Sequence, residues 1–111
     1  MDKRLLKDQN YLFHSIPDKE WGRLLPYVEP VSLPLGKVLY EPGMKMSYVY
    51  FPTTSIVSLL YALENGSSAE IAVVGNEGVV GISIFMGGES TSSRAVVQSA
   101  GLGYRIKSSL I

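Results

Sequence analysis

Arg94 carries a planar guanidinium whose paired N–H donors match the geometry of a phosphate or a carboxylate. A small residue, Ala95, follows it. The plain alternative is an arginine at a strand edge, facing water. Immediately before it runs Gly87-Gly88-Glu89-Ser90-Thr91-Ser92-Ser93. Backbone N–H groups and hydroxyls in such a stretch could form a nest for an anion, while the ordinary reading is a solvated turn. Anion binding is therefore the one chemistry these residue types suggest.

Other chemistries fail on residue counts. The sequence has no cysteine, so disulfides, thiolate zinc sites, iron–sulfur clusters and thiol nucleophiles are excluded. His14 is the single histidine, and it falls in the leading segment, where it reads as a helix-end or partly exposed residue. One histidine cannot build a barrel-type metal site, which needs two or three converging on one ion. The serines of the second half stand in no nucleophile-elbow pattern and are remote from His14. Glu41, Glu64, Glu70, Glu77 and Glu89 lie near turns or strand ends and read as solvated. No enzyme, metal site or cofactor is expected.

Composition sets the frame. The chain has 111 residues, 46% hydrophobic and 18% charged, which suits one compact domain over 1–111. Ten basic and ten acidic side chains cancel, so no net field draws the chain to nucleic acid. Its apolar runs fall short of the roughly 20 residues that cross a bilayer. A cytoplasmic location without membrane contact is the expectation.

The elements that must position Arg94 follow from the periodicity. Leu5, Leu6, Leu12 and Phe13 among charged residues predict an amphipathic helix over 2–13. A second helix is expected from Ser15 as N-cap, with Pro17 in its first turn and Trp21, Leu24, Leu25 and Val28 as its buried stripe. Pro26 and Pro30 limit that helix. After residue 30 the period becomes two, with candidate strands at 31–33, 38–40, 48–51, 56–62, 69–74, 95–99 and 103–106. Turn residues separate them, including Pro34-Leu35-Gly36, Glu41-Pro42-Gly43 and Glu64-Asn65-Gly66. The expected fold class is α+β, mainly β: leading helices over 1–29, then an antiparallel, jelly-roll-like β-roll of eight or so strands over 30–107. Trp21, Leu24, Val38, Val49, Ile56, Leu59, Ile71, Val73, Val96 and Ile106 are its predicted core, and Tyr40, Tyr48, Tyr50, Phe51 and Tyr61 fit cross-strand packing.

The order and spacing of several phrases resemble the cyclic-nucleotide-binding-like effector domain of Crp/Fnr-type transcription regulators. These are Leu33-Pro34-Leu35-Gly36-Lys37-Val38-Leu39-Tyr40-Glu41-Pro42-Gly43, the hairpin around Asn65-Gly66, and Gly78-Val79-Val80-Gly81 ahead of Arg94-Ala95. The resemblance implies a ligand cradle that Gly81 and Ile82 open and that Arg94 and Ala95 close. In members that bind cyclic AMP, a glutamate bonding the ribose stands where this chain has Ile82, which offers no acceptor. Leaving the ribose hydroxyl unpaired costs roughly 1–3 kcal/mol, so ordinary cyclic AMP binding is not expected.

The resemblance also implies a small-molecule effector, nucleotide-like or anionic, and a relay to a DNA-binding domain. A long dimerisation helix and a helix-turn-helix domain follow the roll in such regulators; neither lies within these 111 residues, although residues 108–111 read as the opening of another helix. The partners expected are therefore the effector, DNA only through that absent domain, and a homodimer as one assembly open to the chain. The alternative is a roll that binds no small ligand and acts as an interaction or dimerisation scaffold.

Overall fold

Pro17 sets where the chain turns helical. It is the N-cap of α1 (Asp18–Leu24), with φ −57° and ψ 146°, and its missing N–H falls where no helical partner exists. Asp18 and Glu20 occupy the positive first turn, and Arg23 the negative last one. A 3-10 turn, Leu25–Tyr27, carries Pro26 near its start, and Val28 then leaves in extended geometry. The computed structural model describes Asn10, residues 14–81 and residues 93–110. One leading expectation changes within that range. Ser15 is itself helical and exposed rather than the N-cap, and α1 is the one α-helix described in full. The helix expected over 2–13 lies outside the described residues except for Asn10. That residue is buried, and its amide donates to the carbonyls of Pro52 (2.8 Å) and Gly78 (2.9 Å), satisfying two acceptors of distant segments.

Seven strands follow among the described residues: β1 (Glu29–Leu33), β2 (Val38–Tyr40), β3 (Tyr48–Pro52), β4 (Ile56–Ala62), β5 (Ser68–Val74), β6 (Arg94–Ser99) and β7 (Gly101–Lys107). Each matches an expected strand to within two residues at either end. They pair antiparallel in two sheets, ordered β1-β7-β3 and β2-β6-β4-β5. The β4–β5 hairpin turns at Gly66, whose φ of +87° is open to glycine at little cost, while Asn65 Oδ1 accepts the Ser67 N–H at 3.1 Å. A second 3-10 turn, Ser108–Leu110, closes the described chain.

The strand connections give the roll two distinct ends. β1 feeds β2, β3 feeds β4 and β6 feeds β7 through short links, so Leu33, Pro52 and Gly101 of one sheet adjoin Val38, Ile56 and Ser99 of the other. At this closed end the N–H groups of Thr53 (3.0 Å) and Thr54 (3.1 Å) and the hydroxyl of Ser55 (3.1 Å) converge on the Leu102 carbonyl. The opposite end is a mouth. Glu29, Tyr48 and Lys107 stand there on the three-stranded sheet, and Tyr40, Ala62, Ser68 and Arg94 on the four-stranded one.

Alternation divides the core in two. Val49 and Phe51 of β3 and Tyr104 and Ile106 of β7 pack with Trp21, Val28 and Val79 on the helix side. Leu33, Tyr40, Met46, Tyr50, Val57, Val80, Ala95 and Val97 fill the interior between the sheets. The three-stranded sheet is thus covered on both faces.

The predicted core needs correction at four positions. Trp21, Val49 and Ile106 are buried and Leu24, Leu59 and Val96 half-buried, but Val38, Ile56, Ile71 and Val73 are 38–48% exposed. A period-two pattern does not say which parity faces inward. In β4 it is Val57 that is buried, and the pairing row Val38–Val96–Ser58–Val73 runs across the outer face. A bulge at Leu59/Leu60 shifts the parity again, and β5 lies at the sheet edge. Ser58 is buried in that face, and its Oγ lies 2.6 Å from Glu70 Oε1 and 2.7 Å from Gln98 Oε1, so Glu70 is a bonding partner rather than a purely solvated side chain.

Candidate ligand site

Three of the four residues expected in the cradle are described, and they stand in different environments. Ile82 lies outside the described residues, as does most of the 87–93 stretch. Gly81 is buried at φ +105°, a conformation that favours glycine, directly after the bridge in which Tyr50 and Val80 exchange N–H···O bonds of 3.0 and 2.8 Å. Its role is visible in the backbone. Ala95 is fully buried in the interior cluster, which also holds Val80 and Tyr40. Its methyl packs the roll.

Arg94 opens β6 at the mouth. Its Nε donates to Glu41 Oε2 at 2.9 Å, with side chains 46% and 40% exposed. Glu41 follows β2 directly, so the pair ties the mouth ends of two strands. Beside it, burial pushes the Tyr40 hydroxyl above its ordinary pKa, and a hydrogen bond with the buried Ser93 partly offsets that rise. The phenol stays neutral and hydrogen-bonding at physiological pH.

A second arginine was missed by the sequence reading. Tyr104 and Ile106 face the helix side, so Arg105 between them takes the interior side with Tyr48 and Tyr50. The register sets Glu29 and Tyr50 on either side of it. Its guanidinium carbon sits 4.0 Å over the Tyr48 ring, and its Nε lies 3.4 Å from Glu29 Oε2. Burial pulls the Arg105 pKa down, but the hydrogen bond with Tyr50 and the charges of Tyr48 and Glu29 outweigh it and hold it above the ordinary arginine value. The charge is permanent. Beside Tyr48 opens a cleft of 340 Å³ that Lys45 and Lys107 also line. Only the β1-β7-β3 register, which sequence patterning does not give, reveals this cluster.

Among the described residues no group of three or more His, Asp and Glu could hold a metal ion, and no helix is long and apolar enough to cross a membrane.

The described strands build a two-sheet antiparallel roll with Arg94 and Arg105 toward one end. The cyclic nucleotide-binding domain family matches residues 30–110, and the chain belongs to that family. No curated protein matches the sequence. Among solved structures, the regulatory domain of Toxoplasma gondii PKA with cAMP superposes with a TM-score of 0.83 at 15% identity, covering 97% of this chain and 42% of that one. The sensor domain of the transcriptional regulator DNR from Pseudomonas aeruginosa gives 0.78 at 16% identity, with 97% and 75% covered. The N-terminal domain of a transcriptional regulator from Streptomyces coelicolor A3(2) gives 0.76 at 20%, with 96% and 76% covered. At these identities the likeness shows the fold. The chain spans about two fifths of the PKA regulatory structure.

Proposed function

We propose that the chain is the effector-sensing domain, over residues 1–111, of a Crp/Fnr-type transcription regulator. A small anionic or nucleotide-like ligand enters the mouth, meets the segment that Gly81 and Ile82 open, and engages Arg94 beside Ala95. The observation that carries this reading is the state of Arg94: a mouth arginine held by one half-exposed carboxylate, Glu41, that an incoming anion can replace. The ligand's preference for one arrangement of the mouth then shifts a two-state equilibrium, and a DNA-binding domain outside these residues reads that shift. The domain performs no catalysis and is proposed to work in the cytoplasm.

A thermal-shift screen of nucleotides and small anionic metabolites tests the reading, with calorimetry on the chain and on Arg94→Gln. A stabilising ligand whose affinity falls tenfold or more in Arg94→Gln supports it, and a ligand indifferent to that change contradicts it. Cyclic AMP should bind more weakly than micromolar because Ile82 replaces the ribose acceptor, and Ile82→Glu should strengthen it. The exposed apolar row on the outer sheet face favours a second reading, an interaction scaffold. Under that reading no ligand stabilises the roll.

A further inference from the structure

We propose that Arg105 is a second ligand-binding residue, which receives the phosphate or carboxylate of the effector inside the mouth in exchange for Glu29. The inference rests on the sensing function above and assigns a further group to the same site.

Arg105 is half-buried, with its side chain 28% exposed, on the face of β7 that turns toward the interior cluster holding Tyr50. Its plane is braced: the Tyr48 ring lies beneath it at 4.0 Å and the Tyr50 hydroxyl accepts one of its N–H groups. Tyr48 is tilted 50° to Tyr50 with ring centroids 6.2 Å apart, so the two rings form an angled support. A guanidinium so held has lost its rotational freedom before any ligand arrives, and an anion meeting it gains two parallel hydrogen bonds without ordering the side chain.

The carboxylate contact is the loose part. Glu29 Oε2 stands 3.4 Å from Arg105 Nε, at the far edge of hydrogen-bond geometry, on a side chain 42% exposed. The Arg94–Glu41 contact is 2.9 Å by comparison. Among the described residues, Glu29 and Tyr50 engage only part of the five-donor fork. Lys45 and Lys107 line the cleft next to Tyr48, so an anion approaching from that side passes two further positive charges.

The test is an NMR titration of the whole chain with inorganic phosphate at constant ionic strength, following the arginine Nε–Hε signals. The signal absent from Arg105→Lys identifies Arg105, and that absent from Arg94→Lys identifies Arg94. Arg105 should shift saturably in the millimolar range. Glu29→Gln, which removes the competing carboxylate, should tighten the dissociation constant roughly threefold. A merely structural tie between β1 and β7 would give no such gain. A shift at Arg94 alone overturns the Arg105 assignment and leaves the sensing site standing, whereas a shift at neither arginine counts against both. A shift at Arg105 that Glu29→Gln weakens overturns the exchange.

Discussion

Glu41 and Arg94, 53 positions apart in sequence, meet at 2.9 Å between the adjacent mouth ends of β2 and β6. Both side chains are about half exposed, so water screens the pair, and contacts of this kind contribute about 0–1 kcal/mol. Glu41→Gln should therefore lower the unfolding free energy by less than about 1 kcal/mol, with the difference shrinking as salt rises. Urea denaturation at low and high ionic strength measures it. A loss above about 2 kcal/mol would make the pair structural and Arg94 too firmly held to serve a ligand.

Gly101 is predicted to be the least replaceable glycine of the closed end. A Cβ there would lie 2.6 Å from Ser55 N and from Thr54 C, both backbone atoms that cannot swing aside. Gly101→Ala should destabilise by about 1–3 kcal/mol or more, as overpacked sites do. Gly22 is the control, because it lies within α1 and a Cβ there meets nothing within 4 Å. Gly22→Ala should stabilise by about 0.5–1 kcal/mol through helix propensity. Paired urea midpoints decide the matter, and equal effects of the same sign would contradict the wrapped-turn geometry.

Tyr40 couples the roll to alkaline pH. Burial raises its folded pKa, with the Ser93 hydrogen bond acting in the opposite sense. A group whose folded pKa is raised lends stability that is complete below its unfolded value, about 10 for tyrosine, and is lost as pH climbs through the folded value. Burial raises Tyr104 in the same sense. Stability should therefore fall steeply above about pH 10, and Tyr40→Phe should make that fall shallower. Denaturation midpoints from about pH 8 to 11, alongside tyrosinate absorbance, provide the check. An unchanged slope in Tyr40→Phe would show that Tyr40 does not ionise with unfolding.

The seven strands and their turns were legible in the sequence because alternation and turn residues such as Asn65-Gly66 act locally. Which face of each strand turns inward was not. Ile56 and Val57 are neighbours of similar hydrophobicity, and only the pairing of β4 with β6 decides that Val57 goes inside and Ile56 outside. The same limit governs the site. Arg94 stood out by its place in a family-like phrase, whereas Glu41 read as a solvated turn residue and Arg105 drew no notice. Both acquire meaning from partners 53 and 76 positions away. Such pairings are set by sheet register, a property of the whole chain. The leading segment misled for another reason, since Ser15 and Pro17 are both good helix starters and local preference did not rank them.

The two arginines of the mouth stand on consecutive strands, β6 and β7, and their two carboxylates on β1 and directly after β2. Far from the mouth, the links between these strands pass from one sheet to the other near Leu102. Backbone ladders β1–β7 and β2–β6 already join these strands, so each ion pair stands at the mouth end of a ladder. An anion that took an arginine from its glutamate would release a side-chain tie there and leave the backbone pairing in place.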